Sequence, residues 1–261
     1  MEKPERPARL YVPDLAEGAK VPLPPAEAHH AAHVLRLGPG AAIEVFDGCG
    51  HTAEARIAAV RRGQVTLAVG AVRGPARRPE PRVRLAFAVP KGNRLDWLLE
   101  KATELGVAAL RPVRFERSVA GAGDFPDAKR AKWLGHCIAA AKQSGLDWLP
   151  DLQDPLPLAE FLANPAPGLF GDLAGDAVTM PQAMTRLRSS AAAGTPPGQY
   201  ARPYWAAGGI TVLVGPEGGL TDAEREAVRA AGLLPVRLGR TTLRIETAAI
   251  ALVAATVAAW E

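Results

Sequence analysis

ITVLVGPEGGLTDAEREAVRAAG, residues 210–232, reads as a strand, a glycine-rich turn and a helix in direct succession. Thr221 and Glu224 have the spacing of a capping box, and Gly232 is placed to end the helix. Glycines between a strand and a helix N-terminus let backbone N–H groups come close to a ligand, as phosphate-binding loops do. The match to those loops fails in detail, because no Lys-Ser/Thr follows the glycines and GPEGG is not GxGxxG. Alone, the segment reads equally as a ligand loop or as a tight turn.

Residues 236–260, VRLGRTTLRIETAAIALVAATVAAW, repeat the arrangement with a short strand, a second Gly turn and an almost wholly apolar helix. A helix apolar on every side is buried on every side, by its own domain or by a second subunit, so a dimer interface is one solution. Before it stand Arg244 and Glu246, which read either as a helix-entry ion pair, with Glu246 favoured by the helix dipole, or as groups beside a ligand held by the two Gly turns.

Further upstream, strand-like runs at residues 83–89, 210–214 and 235–238 alternate with segments of helical period, an α/β pattern. One helix opens at Asn93, with Leu95, Leu98, Leu99, Ala102 and Leu105 as its apolar stripe and Gly106 as its stop. A second covers about residues 128–145; Lys129, Arg130 and Lys132 near its start oppose the dipole, as a solvated basic face or for a charged partner. Before residue 70 the rhythm is different. Short apolar runs at 42–46, 53–59 and 64–69 are separated by the turn-formers at 47–50 and 62–63, which is hairpin punctuation and suggests a small β-rich module. The stretch 70–82, rich in proline, glycine and arginine, reads as the connection between two domains. Residues 185–209 read as a flexible insertion.

With 261 residues the chain accommodates two domains, and 48% hydrophobic residues mark it as globular. A formal net charge of +4 is compatible with a nucleic-acid partner but too mild to establish one. Cys49 and Cys137 match no ligand spacing, so a disulfide scaffold is not expected. The opening MEKPERPARLYVP has charge and proline where a signal peptide needs an apolar run, and the apolar stretch 247–260 is shorter than the roughly 20 residues of a membrane span. A cytoplasmic protein is the expectation, with no membrane partner. His29, His30 and His33 lack a further ligand at a familiar spacing, so no metal is expected; they read as part of a helix in the front module, with Arg36 a phosphate contact.

The blocks VPKGNRLDWLLEKATELGV (89–107), RFERS (114–118), LVGPEGGLTDAE (213–224) and LGRTTLRIETA (238–248), in this order, resemble the ribosomal RNA small-subunit methyltransferase E family of the SPOUT superfamily. Residues 29–50 resemble that family's PUA-like RNA-binding domain. The resemblance implies an α/β fold: a SPOUT-type trefoil-knotted parallel sheet with flanking helices over 77–261, preceded by a small PUA-like β-barrel domain over 1–76. It implies a homodimer that transfers a methyl group from S-adenosyl-L-methionine to uridine N3 of small-subunit (16S) ribosomal RNA, free or within an assembled subunit. Two rivals are a SPOUT enzyme acting on another RNA nucleoside and a non-enzymatic RNA-binding assembly factor.

By position, the resemblance implies a cofactor site in three loops. The first holds Gly171 and Asp172, the second Val214, Gly215, Pro216, Glu217, Gly218 and Gly219, and the third Leu238, Gly239, Leu243 and Arg244. Leu238 and Leu243 would sandwich the adenine. Arg244 would also stabilise a developing uridinate, while Glu246 or water would take the proton. Arg9, Arg36, Lys91 and Arg94 would meet RNA. The sequence departs from the family pattern at residues 142–150, and Ile245 replaces a threonine in the third loop.

Overall fold

The computed structural model describes residues 7–118, 127–164, 167–192 and 209–260. Its backbone divides into two units, Met1–Arg78 with Ala141–Leu149, and Pro79–Ala140 with Pro150–Glu261.

In the first unit, strands β1 (Ala8–Tyr11), β2 (Lys20–Pro22), β3 (Ala42–Phe46), β4 (Thr52–Arg61) and β5 (Gln64–Arg73) form one sheet in the order β1-β3-β4-β5-β2. The β1–β3 pair is parallel and its other neighbours antiparallel. Alternation explains which face is buried: β4 turns Ala53, Ala55 and Ile57 inward and Glu54 and Arg56 outward. Arg62 and Gly63 both have positive φ, the two-residue turn that matches the twist of β4 and β5. Helix α1 (Pro25–His29), extended by a π-helical turn over His30–Val34, adds Ala28 and Ala31 to the core.

Residues 141–149 belong to this unit through a set of backbone bonds. The Gly50 N–H donates to the Asp147 carbonyl (3.0 Å), the Leu149 N–H to that of Gly48 (2.9 Å), and the Trp148 indole to that of Ala76 (3.0 Å). The Lys142 ammonium meets buried Glu27 at 2.8 Å, and Glu27 in turn accepts the Tyr11 N–H at 2.9 Å.

In the second unit, strands β6 (Arg82–Phe87), β7 (Ala109–Arg114), β8 (Asp151–Leu152), β9 (Leu156–Pro157), β10 (Gly168–Gly171), β11 (Gly209–Val214) and β12 (Leu233–Val236) form a wholly parallel sheet. The order is β12-β10-β11-β6-β7-β8, with β9 pairing the end of β7. Every residue of β11 is buried, as a central strand covered on both faces requires.

The helices of this unit are α2 (Arg94–Glu104), α3 (Asp127–Ser144, whose residues from Ala141 on belong to the first unit), α4 (Leu158–Leu162), α5 (Met180–Ala192), α6 (Asp222–Ala230) and α7 (Ile245–Trp260). Helix α2 buries Leu95, Leu98, Leu99 and Ala102, but the Asn93 side chain makes no capping bond. The early cations of α3 are engaged within the unit: Arg130 meets Asp154 at 2.6 Å, Lys132 meets Asp96 at 2.7 Å, and the Lys129 ammonium lies 5.2 Å from the Trp133 ring centre. Burial pushes the Cys137 thiol up to about 11, so it stays neutral and unreactive.

Helix α5 runs through Ala192, where the sequence reading has an insertion from residue 185. Met180, Ala183, Met184 and Leu187 are buried at helical spacing, and this stripe carries the helix past the predicted break. The rest of that stretch, 193–208, lies outside the described residues. Helix α7 buries Ile245, Ala249, Leu252 and Val253, leaving Ile250, Ala251, Ala254 and Val257 half-buried rather than enclosed.

Gly168 lets β10 approach β11: a Cβ there would lie 2.1 Å from the Thr211 carbonyl oxygen, a backbone atom. Gly168→Ala is expected to cost about 1–3 kcal/mol through overpacking. Gly135→Ala, on the exposed face of α3 with open space around the new methyl, is expected to gain roughly 0.5–1 kcal/mol. Opposite shifts of the urea midpoint of the full chain check the pair.

Candidate functional site

The loops that leave the carboxyl ends of β10, β11 and β12 converge on the first turns of α7 and enclose a cavity of about 380 Å³. Ligand crevices of open parallel sheets lie at this end of the strands. Gly171, Asp172 and Leu173 form the first wall. Val214, Gly215, Pro216, Glu217, Gly218 and Gly219 form the second, closed by Leu220. Val236, Leu238, Gly239, Thr241, Thr242 and Leu243 form the third. Ile245, Ala248 and Leu252 of α7 and Arg225 of α6 complete the lining.

The second wall owes its shape to local chemistry. Gly219 has φ +69°, a conformation that side chains disfavour, and its N–H closes a turn on the Pro216 carbonyl at 2.9 Å. The expected capping box is present: the Glu224 N–H donates to the Thr221 hydroxyl at 3.2 Å, and the Thr221 N–H donates to the Glu224 carboxylate at 2.9 Å. The other carboxylate oxygen of Glu224 accepts the Glu116 N–H at 2.8 Å, and the Arg117 guanidinium donates to the Gly218 carbonyl at 3.0 Å. The RFERS segment is thereby fastened to the GPEGG loop.

The first wall is held by charge. Asp172, almost wholly buried, accepts the N–H groups of Leu173 and Ala174 on one oxygen at 2.8 and 3.2 Å. Its other oxygen takes the Arg225 Nε at 3.0 Å, with Arg229 at 3.8 Å. Arg225 also meets Asp222 at 3.0 Å. Helix α6 thus carries the cations that neutralise the loop after β10.

The third wall has an apolar character, with Leu238 and Leu243 each left 37% exposed on either side of Thr241 and Thr242. A flat ring fits between such side chains, while the hydroxyls and the glycine backbones offer polar contacts. The charged lining consists of Asp172, Glu217 and Arg225; Asp172 pairs with Arg225, and Glu217 takes its cation, Arg94, from outside the lining at 2.8 Å.

All the residues expected around the cofactor line this cavity except Arg244, whose side chain is exposed beside it while its carbonyl accepts the Ala248 N–H at 2.8 Å. Glu246 is buried at the start of α7, with Oε2 lacking a hydrogen-bond partner and Oε1 3.7 Å from the Arg94 Nε.

The residues expected to meet RNA fare differently. Arg94 also bonds Glu217 at 2.8 Å, which places its guanidinium beside the cavity. Lys91 is exposed and lines a small cleft with Ser118, Pro216 and Glu217. In the first unit, Arg36 is exposed, whereas Arg9 is corrected to an internal role. Its guanidinium bonds Asp147, donates to the Leu146 carbonyl at 2.9 Å, meets Glu44 at 2.8 Å and lies 4.4 Å from the Phe46 ring centre. The rings of His29 and His33 lie 4.8 Å apart, and no cluster suited to a metal occurs among the described residues.

The wall also holds residues that sequence reading missed, among them Arg225, Thr241, Thr242 and Leu252. The helical spacing of Ile245, Ala248 and Leu252 was the available signal for the last. Nothing local pointed to Arg225, whose partner Asp172 is 53 residues away.

The sequence model of the RNA methyltransferase domain matches residues 77–257, and that of the RNA methyltransferase PUA domain matches 23–69. The chain belongs to the ribosomal RNA small subunit methyltransferase E family. It is similar to the family member of Synechocystis sp., at 32% identity over 92% of this chain and 74% of that one. The Bacillus subtilis member is 28% identical over 85% of this chain and 83% of its own. Among solved structures, the family member of Neisseria gonorrhoeae, bound to S-adenosyl methionine, superposes with a TM-score of 0.75 at 30% identity, covering 96% of each chain. A Legionella pneumophila protein solved with bound SAM gives 0.79 at 30% identity, covering 97% of this chain and 98% of that one. Among the described residues no helix is long and apolar enough to cross a membrane.

Asp172→Ala removes a buried carboxylate and leaves Arg225 and two backbone N–H groups without it. A loss of about 1–3 kcal/mol is expected from these charge-assisted bonds, read as a lower thermal midpoint.

Proposed function

We propose that this chain is an S-adenosyl-L-methionine-dependent methyltransferase that modifies uridine N3 in small-subunit ribosomal RNA. The observation that carries the cofactor reading is the cavity itself: three loops of a parallel sheet, leucines placed to flank a ring, and a wall carboxylate, Glu217, whose cation lies outside the lining. Bound there, the cofactor supplies an electrophilic methyl group on a positively charged sulfur. The backbone of the glycine turns would hold its polar edges, and Leu238 and Leu243 its adenine.

The uridine ring must lose its N3 proton as the nitrogen becomes nucleophilic. Arg244, exposed next to Leu243, is suited to stabilise the negative charge that develops on the base oxygens. It is a poor proton acceptor because a guanidinium stays protonated. Proton removal falls to another group, either Glu246, two residues on at the start of α7, or water. Lys91, and Arg36 in the first unit, are exposed cations that would contact RNA phosphates. The first unit is the RNA-binding domain in this reading, as its match to the PUA family supports.

A trefoil-knotted SPOUT topology belongs to the same proposal. It is supported by the path of the chain, which runs from the edge strand β12 through the third loop into α7, a helix that packs back on β11 and β6. A homodimer is supported by the half-buried face of α7 and by Trp97, 44% exposed on the neighbouring α2.

Methyl transfer from labelled S-adenosylmethionine to small subunits isolated without the modification, followed by mass mapping, tests the reaction and the target together. Label on uridine N3 is the expected result, and label on another nucleoside would refute the specificity. Arg244→Ala is expected to lose methyl transfer with its circular dichroism unchanged; undiminished turnover would remove Arg244 from the mechanism. Gly218→Val, whose first added carbon would stand 3.3 Å from the Arg117 side chain, is expected to displace the second wall and abolish cofactor binding by calorimetry.

A further inference from the structure

The three charged residues of the cavity wall do not stand alike. Asp172 and Arg225 satisfy each other, and Asp172 spends its second oxygen on two backbone N–H groups. Neither offers an uncompensated charge to a ligand. Glu217 is different: it lines the cavity, is 38% exposed, and takes its cation, Arg94, from the start of α2 outside the lining.

Arg94 has a second carboxylate within reach. Its Nη1 is 2.8 Å from Glu217, while its Nε is 3.7 Å from Glu246, longer than a hydrogen bond. Glu246 is buried and keeps Oε2 without a partner. The oxygen that faces Arg94 is Oε1, and a guanidinium closing from 3.7 Å to bonding distance would supply this buried carboxylate with a charge-assisted hydrogen bond. Release of Glu217 by Arg94 would therefore not leave the guanidinium unpaired.

We infer that Glu217 makes the cavity prefer the positively charged cofactor over its demethylated product, and that Arg94 tunes this preference by competing for Glu217. This rests on the cofactor reading given above. S-adenosylmethionine carries a sulfonium, whereas S-adenosylhomocysteine carries a neutral thioether and differs in little else. A carboxylate on the wall favours the former. When the cation enters, it takes over the counter-charge role at Glu217 and Arg94 shifts toward Glu246. Once the methyl group has gone, the neutral product cannot hold Glu217 against Arg94, and the original pair reforms.

Calorimetric titration of the full chain with S-adenosylmethionine and with S-adenosylhomocysteine reads the ratio of the two dissociation constants without any turnover. Glu217→Gln keeps the shape of the side chain and is expected to move that ratio about threefold to fivefold toward the product, the size fitting a partly exposed charge. Arg94→Gln removes the competitor and is expected to move it by a similar factor the other way, while Arg94→Lys stays near the wild type. Opposite movement of the two Gln variants, weakened by added salt, supports the inference. A ratio unchanged in Glu217→Gln, or both ligands weakened equally, overturns it. Failure of the wild-type chain to bind either ligand instead overturns the cofactor reading on which the inference stands.

Discussion

Burial of β11 along its whole length is the constraint on which the rest of the second unit depends. A strand flanked by β10 and β6, with all six residues inaccessible, sits in the middle of a parallel sheet and returns the chain to the surface only at its end. Parallel pairing sends β10 and β12 to the same end. Three loops are thus delivered to one place by the sheet, and the apolar helix that follows the third loop supplies their floor. The cavity is a consequence of topology before it is a consequence of any one side chain.

Charge then distinguishes walls that the sheet alone would leave alike. Helix α6 directs Arg225 and Arg229 at Asp172, so the first loop is neutralised and fixed from its own unit. The same helix begins with a capping box whose glutamate reaches beyond the helix to the Glu116 N–H. A short helix of nine residues therefore fastens the first loop with its guanidinium groups and the second with its N-terminus. What is left uncompensated within the lining is Glu217, whose counter-charge comes from a different helix.

How much of this was legible follows from the range of each interaction. The strand, turn and capped helix at residues 210–232 were readable because every determinant lies within a few positions, and the structure has the cap with both its hydrogen bonds. The hairpin turn at Arg62 and Gly63 was readable for the same reason. Arg9 was not, because nothing in ARLY announces that its partners are Glu44 and residues 141–147. A basic residue at the front of a module resembling an RNA-binding domain invites a phosphate, and only the fold shows its guanidinium already surrounded by acceptors. For Arg94 the charge was visible, but its two carboxylates were not. Of residues 142–150, a departure from the family pattern in sequence, all but Pro150 are in the structure part of the first unit, which composition along the chain could not show. The resemblance to the family located the three loops, while the ion pairs that hold them are particular to these side chains and had to be seen.

The three walls also differ in how firmly they are held, and this bears on which of them a ligand must organise. The first is pinned by a buried carboxylate and the second by a turn, a capping box and the Arg117 donor. In the third, the backbone bonds among the described residues fall at its ends, where the Arg237 N–H meets the Val178 carbonyl at 2.9 Å and the Ala248 N–H meets that of Arg244 at 2.8 Å. Between them, Leu238 to Arg244 are exposed. Exposed backbone with few internal bonds is the least stable part of a fold and the part most readily reordered by binding. Two leucines held open to water on such a segment would gain by packing on an apolar ring, and that gain would order the loop that carries Arg244. In the proposed function, the cation that meets the base would in this way be positioned by occupation of the cavity next to it.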